Sequence, residues 1–241
     1  ITEIDLNPLM IGPDGSFTIV DALVTCRQPV SAPPPAGAIA PGDIHHLFYP
    51  KQIAFIGASA QFGKWGHMLY ANPAGGGYEG DIYLVNPRGG QIAGRNVFPK
   101  IADLPQHIDL AVVTIPAAHV HDLIPALQEK GIRNMLLISS GFAETGGAGA
   151  DLEKSLVQEA REASILILGP NTMGICNPHI QFYCTGSPVR PKAGDTAVVA
   201  QSGNMGTQLL AFAEQQGIGI RGFAGPGNEA MLTIEDFLEG F

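Results

Sequence analysis

Apolar residues in this chain cluster into short continuous runs separated by amphipathic stretches. The runs are IAFIG (53–57), IYLV (82–85), LAVVTI (110–115), MLLIS (135–139) and ILIL (165–168). Continuous rather than alternating apolar residues are what strands buried on both faces require. Between the runs the period becomes helical. In 117–130 the stripe is Val120, Leu123, Ile124 and Leu127, with Gly131 placed to end it and Pro125 placed to kink it. In 151–163 it is Leu152, Leu156, Ala160 and Ala163, opened by Asp151. This alternation predicts an α/β fold, a Rossmann-like doubly wound, mostly parallel sheet. After a Pro- and Gly-rich connection (187–194) the pattern restarts with a strand AVVA (197–200), a QSGN turn and a helix over 205–216. That restart predicts a second α/β domain.

The first 26 residues follow a different rule. EIDLNPLMI, a PDGS turn and FTIVDALV read as a hairpin. A lone hairpin is marginal in water, so it should belong to something larger. Residues 27–41, RQPVSAPPPAGAIAP, read as a stiff Pro-rich linker. The expected organisation is therefore hairpin 1–26, linker 27–41, first α/β domain 42–186 and second α/β domain from 187 to 241.

Composition narrows the function. The 241 residues are 45% hydrophobic and carry a formal net charge of −9, which argues against a non-specific nucleic-acid partner. Three cysteines without CxxC spacing fit reduced thiols and a cytoplasmic location. No apolar run reaches the roughly 18 residues of a membrane span, and no secretory leader is visible. The chain opens on Ile1 and closes within EDFLEGF, a helical pattern, so it is expected to be an interior piece of a longer protein.

In a parallel sheet, ligands lie beyond the carboxyl ends of the strands. The segments there are GASAQFGK (57–64), NPRGG (86–90), PAAH (116–119), SGFAET (140–145) and GPNTMG (169–174). Gly57 and Gly63 permit close backbone approach, and the helix that follows offers free N–H groups to an anion. A diphosphate fits this turn. NAD fits poorly, because the spacing is GxxxxxG and the second strand ends in Asn86-Pro87-Arg88 instead of an acid. Arg88 suits a ribose phosphate, which leaves NADP or coenzyme A. Alternatively Arg88 is a solvated loop charge and the glycines serve only turns.

Read together, IAFIGAS, YLVNPRGG, LAVVTIPA, ISSGFAETG, LGPNTMGICNP and VAQSGNMG, in that order, resemble the CoA-binding domain of the NDP-forming acyl-CoA synthetases, relatives of the succinyl-CoA synthetase α subunit. With DIHHLFYPKQ the resemblance covers about 43–241. It implies a CoA site on Gly57, Ser59, Lys64, Pro87, Arg88, Pro116, Ser140, Gly141 and Glu144, and a flavodoxin-like second domain. Residues 1–26 resemble the last hairpin of an ATP-grasp domain, which implies Mg²⁺ ligands at Asn7 and Asp21; both offer the hard oxygens that Mg²⁺ prefers.

The reaction implied is acyl-CoA + ADP + Pi ⇌ carboxylic acid + CoA + ATP, through an acyl phosphate and a phosphohistidine. ATP/ADP and Mg²⁺ would belong to the full-length enzyme, which is expected to be a homo-oligomer. None of the seven histidines lies in a SHTGA-like or GHAGA-like loop, so the phosphohistidine is expected outside this chain. What the chain keeps is a helix N-terminus after QSGN, where the resemblance implies phosphoryl contacts at Ser202 and Gly203, with Asn204 departing mildly from the SGALG or SGTLT form. Asn171 lies near the same junction, or is a turn amide bonding its own backbone. Acyl selectivity is expected near 169–174. The partners are small molecules: CoA, acyl-CoA and phosphate. The rival readings are a non-catalytic CoA-binding module and an NADP-dependent oxidoreductase domain.

Overall fold

The computed structural model describes residues 3–6, 9–12, 14, 16–19, 22–25, 41–105 and 107–241. Two units result, Ile1–Ala38 and Ile39–Phe241. In the first, β1 (Glu3–Leu6) pairs antiparallel with β4 (Ala22–Thr25), and β2 (Leu9–Ile11) with β3 (Phe17–Ile19). The Asp14 carboxylate accepts from the Ser16 amide at 3.1 Å and from its hydroxyl at 2.6 Å, which closes the turn of the expected hairpin. Asn7, Asp21 and Cys26 lie outside the described residues. So does the linker, except Pro41, which opens α1 (Pro41–Phe48).

In the second unit the apolar runs pair as anticipated. The strands are β5 (Gln52–Ile56), β6 (Asp81–Val85), β7 (Gln91–Ile92), β8 (Arg95–Phe98), β9 (Leu110–Val113), β10 (Asn134–Leu137) and β11 (Leu166–Leu168). They form one sheet in the order β11-β10-β9-β5-β6-β8-β7, parallel except for the β7–β8 pair. Chain order reverses between β5 and β9, the switch point at which such sheets hold ligands.

Side chains alternate to two covered faces, as strand geometry demands. Ile53, Phe55, Leu84, Val112 and Leu136 share one core with Leu47 of α1 and with Leu69 and Tyr70 of α2 (Trp65–Gly76). Ala54, Ile56, Val113, Met135 and Leu137 share the other with Leu127 of α3 (Ile124–Lys130) and with Leu156 and Ala160 of α4 (Gly147–Glu162).

A further sheet runs in the order β13-β12-β15-β14, built from β12 (Gly174–Asn177), β13 (Phe182–Thr185), β14 (Ala193–Val199) and β15 (Ile220–Gly225). Its strands come from both sides of residue 187, and β12 is antiparallel to its two neighbours. α5 (Gly203–Gln216) follows β14, and α6 (Ile234–Gly240) closes the chain on a Thr233–Asp236 capping box.

Two helices differ from expectation at their starts. Residues 117–119 and 121–123 form single 3₁₀ turns, and α3 begins only at Ile124. Pro125 therefore occupies the first turn, where its missing N–H costs nothing, and begins a helix instead of kinking one. α4 opens at Gly147, four residues before Asp151, because Gly146 and Gly147 supply the positive φ values, 69° and 44°, that turn the chain into it. Among the described residues no helix is long and apolar enough to cross a membrane.

Candidate functional site

The turn after β5 is built by two glycines with different duties. Gly57 has φ 92°, and a Cβ there would lie 2.8 Å from the Thr114 hydroxyl. Gly66, in the first turn of α2, sits where a Cβ would lie 2.1 Å from the Gly57 carbonyl oxygen. Only bare backbone allows helix and strand to approach this closely. Gly63 has φ 82°, and no protein atom lies within 4 Å of its would-be Cβ, so its backbone borders open space. The Thr114 hydroxyl donates to the Ile56 and Gly57 carbonyls, at 3.2 and 3.3 Å. The Ser59 amide donates to the Gly66 carbonyl at 3.1 Å. Lys64 is the extended N-cap residue of α2 and makes no side-chain cap, which leaves the first amides of the helix to another acceptor.

Beyond β6, the Asn86 side chain ties two loops together. Its Nδ2 donates to the Ala58 carbonyl at 2.9 Å, and its Oδ1 accepts from the Arg88 amide at 3.0 Å. This turn presents Pro87 and Arg88 exposed beside the β5 loop. A cation placed there, with Gly89 and Gly90 at positive φ behind it, suits a phosphate.

The ends of β9, β10 and β11 meet α5 around a cleft of about 620 Å³. Pro116, Ser140, Asn171, Ser202 and Gly203, all singled out from the sequence, line it together. Trp65, Thr114, Ser139 and Gly227 line it too without having been singled out, as do Met173, from the 169–174 segment expected to bear on acyl selectivity, and Gln201 of the QSGN turn. Gly57, Ser59, Lys64, Pro87, Arg88, Gly141, Glu144 and Asn204 are not among the lining residues; of these, the β5 and β6 loops carry Gly57 to Lys64 and Pro87–Arg88. The Ser202 hydroxyl caps α5, accepting from the Met205 amide at 3.4 Å. The amides of Gly203 and Asn204 have no intrahelical acceptor and, with the helix dipole, form an anion seat.

Glu144 is exposed, yet its carboxylate is tied down by neighbouring donors. Its carboxylate accepts from the Gly141 amide, from the Phe142 amide at 3.2 Å and from Asn228 Nδ2 at 2.6 Å. Desolvation pushes its carboxyl up, but the bonds from Asn228, Gly141 and Phe142 outweigh this and hold it below the ordinary carboxylate value. Asn228 also donates to Glu153 at 2.8 Å and accepts from Asn171 Nδ2 at 3.3 Å. Asn171, at φ 57°, thus spends its side chain on Asn228, and its own amide donates to the Ser139 carbonyl at 3.0 Å. His121 contacts Glu159 at 2.7 Å and His119 lies 3.8 Å from Asp122; neither lines the cleft.

Residues 51–178 match the CoA binding domain family, and residues 193–241 match the succinyl-CoA ligase like flavodoxin domain. The α subunit of ADP-forming acetate–CoA ligase I from Pyrococcus furiosus is 37% identical over 199 residues, covering 81% of this chain and 43% of that protein. ADP-forming acetate–CoA ligase II from Archaeoglobus fulgidus is 33% identical over 245 residues, covering 98% of this chain and 34% of that protein. The chain thus spans less than half the length of either relative. Among solved structures, dinucleotide forming acetyl-coenzyme A synthetase 1 of Ca. Korarchaeum cryptofilum, in complex with phosphate and ADP, superposes with a TM-score of 0.77 at 31% identity. That match covers 81% of this chain and 42% of the other. With its switch-point turn, its strand-end loops and its two matched domains, the chain belongs to the CoA-binding domain family in the form found in ADP-forming acyl-CoA synthetases.

Proposed function

We propose that this chain holds CoA and the phosphoryl intermediate of an ADP-forming acyl-CoA synthetase, a cytoplasmic acid–thiol ligase. The observation that carries this reading is the meeting of strand ends β9, β10 and β11 with the N-terminus of α5 around one cleft. In it, the β5 turn and α2 N-terminus receive the CoA diphosphate, and Arg88 receives a ribose phosphate. The thiol end enters the cleft beside Pro116 and Ser140. Phosphate displaces CoA from the thioester to give an acyl phosphate, whose phosphoryl group rests on the Gly203 and Asn204 amides before passing to a histidine elsewhere in the protein. Residues 1–26, with Asn7 and Asp21 toward Mg²⁺, are assigned to an ATP-grasp domain; the alignment of the Archaeoglobus relative over 98% of the chain supports including them. By itself the chain should bind CoA without turnover, and the full-length protein should be a homo-oligomer.

Calorimetric titration tests this. CoA is expected to bind, dephospho-CoA more weakly, and Arg88→Ala to cost about tenfold in CoA affinity, the size of one charge-assisted phosphate contact. The variant should lose the difference between the two ligands. Saturation by NADP without a response to CoA would overturn the assignment in favour of an oxidoreductase domain.

A further inference from the structure

We propose that Trp65 and Met173 form an acyl-binding wall in this cleft, and that the acids activated carry an uncharged apolar group larger than a methyl. The inference rests on the CoA reading above and specifies its substrate class.

Trp65 is the chain's single tryptophan, and at the first position of α2 it is 42% exposed while lining the cleft. An indole left partly in water at the mouth of a binding cleft is apolar surface that a ligand can cover with gain. Met173, from the loop after β11, continues that surface. A Cβ on Gly186 would lie 2.3 Å from the Trp65 ring and 3.2 Å from Met173 Cε, so the glycine leaves the space that both side chains enter. The Gly186 amide fixes this corner by donating to the Met173 carbonyl at 3.1 Å. At its other end Met173 abuts α5, because a Cβ on Gly203 would lie 2.0 Å from Met173 Cγ. The apolar wall therefore runs from the start of α2 to the amides assigned to the phosphoryl group.

In an acyl phosphate the R group is only a few bonds from phosphorus. With phosphorus seated on the first amides of α5, R emerges beside Met173 and can extend toward the indole. A methyl would cover little of that surface; a propyl or benzyl group would cover much more. Among the described residues the cleft lining holds no Lys, Arg or His, so a second carboxylate on R would enter without a counter-charge.

Because the chain has one tryptophan, the test needs no label. Its emission is followed while CoA, acetyl-CoA, butyryl-CoA, phenylacetyl-CoA and succinyl-CoA are titrated in, with calorimetry in parallel. Butyryl-CoA is expected to bind about tenfold tighter than acetyl-CoA, the gain from two buried methylenes. Butyryl- and phenylacetyl-CoA should shift the emission to the blue, and succinyl-CoA should bind more weakly than butyryl-CoA. In Met173→Ala the ratio of butyryl-CoA to acetyl-CoA affinity should fall several-fold. If every thioester binds as CoA does and leaves the emission where CoA leaves it, the acyl wall is wrong while the CoA site stands. If CoA itself fails to bind, the CoA reading falls and takes the wall with it. The wild-type fluorescence decides even should the variant not fold.

Discussion

Replacing Gly66 with alanine is expected to be among the most damaging single-methyl changes this chain can suffer. The added carbon would stand 2.1 Å from the Gly57 carbonyl oxygen and 3.1 Å from the Thr114 hydroxyl. The first of these atoms is backbone, held at the end of a strand whose Ile53, Ala54 and Phe55 are fully buried. No rotamer change can relieve the clash, so the start of α2 must retreat by about 1 Å, moving Trp65 and the Ser59–Gly66 hydrogen bond with it. Overpacking of this kind costs about 3 kcal/mol, which in a unit of this size lowers the melting temperature by roughly 10 °C. CoA affinity should drop about 100-fold, because the turn and the helix amides no longer face the same point. Gly63→Ala is the control. Its would-be Cβ meets no protein atom, so the only cost is the strain of an L residue at φ 82°, about 1 kcal/mol. Equal melting temperatures for the two variants would show that close approach at Gly66 is not what the turn depends on.

The contrast between these glycines shows what was legible. Gly63 belongs to a visible spacing, Gly57…Gly63, which sequence marks as backbone open to an anion. Gly66 has a different duty, close packing of helix on strand, and nothing local marks it, since its partner is the carbonyl of Gly57 brought near by the fold. The same division holds for the elements. β5, β6, β9, β10 and β11 were readable because burial on both faces demands continuous apolar runs. β7 and β8 were not, because QI and RNVF form a short, half-polar edge pair. β12, GICN, and β13, FYCT, are fully buried but lie beyond the last strand of the first sheet, and their pairing with β15 spans a helix that pattern alone cannot bridge.

The site divides likewise. Pro116, Ser140, Asn171, Ser202 and Gly203 come together because strand ends and a helix start are positions that sequence marks; their roles toward CoA and phosphate rest on the family resemblance. Trp65 carries no such mark, and Met173 is marked only as part of 169–174, because each looks like ordinary apolar packing until Gly186 and Gly203 show where the side chains go. The resemblance marks Glu144 as a ligand contact; what sequence does not show is that its carboxylate is engaged by Gly141, Phe142 and Asn228, the last 84 residues away.

Asn228→Asp is expected to destabilise the unit in a way that reverses the usual response to acid. In the native chain one amide nitrogen donates to two carboxylates, Glu144 at 2.6 Å and Glu153 at 2.8 Å. Glu144, held below its ordinary value, contributes stability above the unfolded carboxylate pKa and loses it as pH falls through the depressed one. An aspartate removes the donor and places a third negative charge between the two. At neutral pH this should cost about 2 kcal/mol, a moderate figure because Glu144 is exposed and water screens the repulsion. Three crowded carboxylates raise one another's pKa, so the folded variant takes up protons before the unfolded chain does. Its deficit is therefore largest at neutral pH and shrinks as pH falls through the carboxylate range, where the native chain is losing stability. Asn228→Ala removes the same hydrogen bonds without adding charge and should lack this recovery. Melting temperatures of the three proteins across that range decide the matter: parallel curves for the Asp and Ala variants would mean that the carboxylates do not face one another through Asn228. Because Asn228 Oδ1 also accepts from Asn171 Nδ2, a bond that an aspartate can keep and an alanine cannot, only the Ala variant frees a side chain that lines the cleft, and its CoA affinity should fall by a similar factor at every pH.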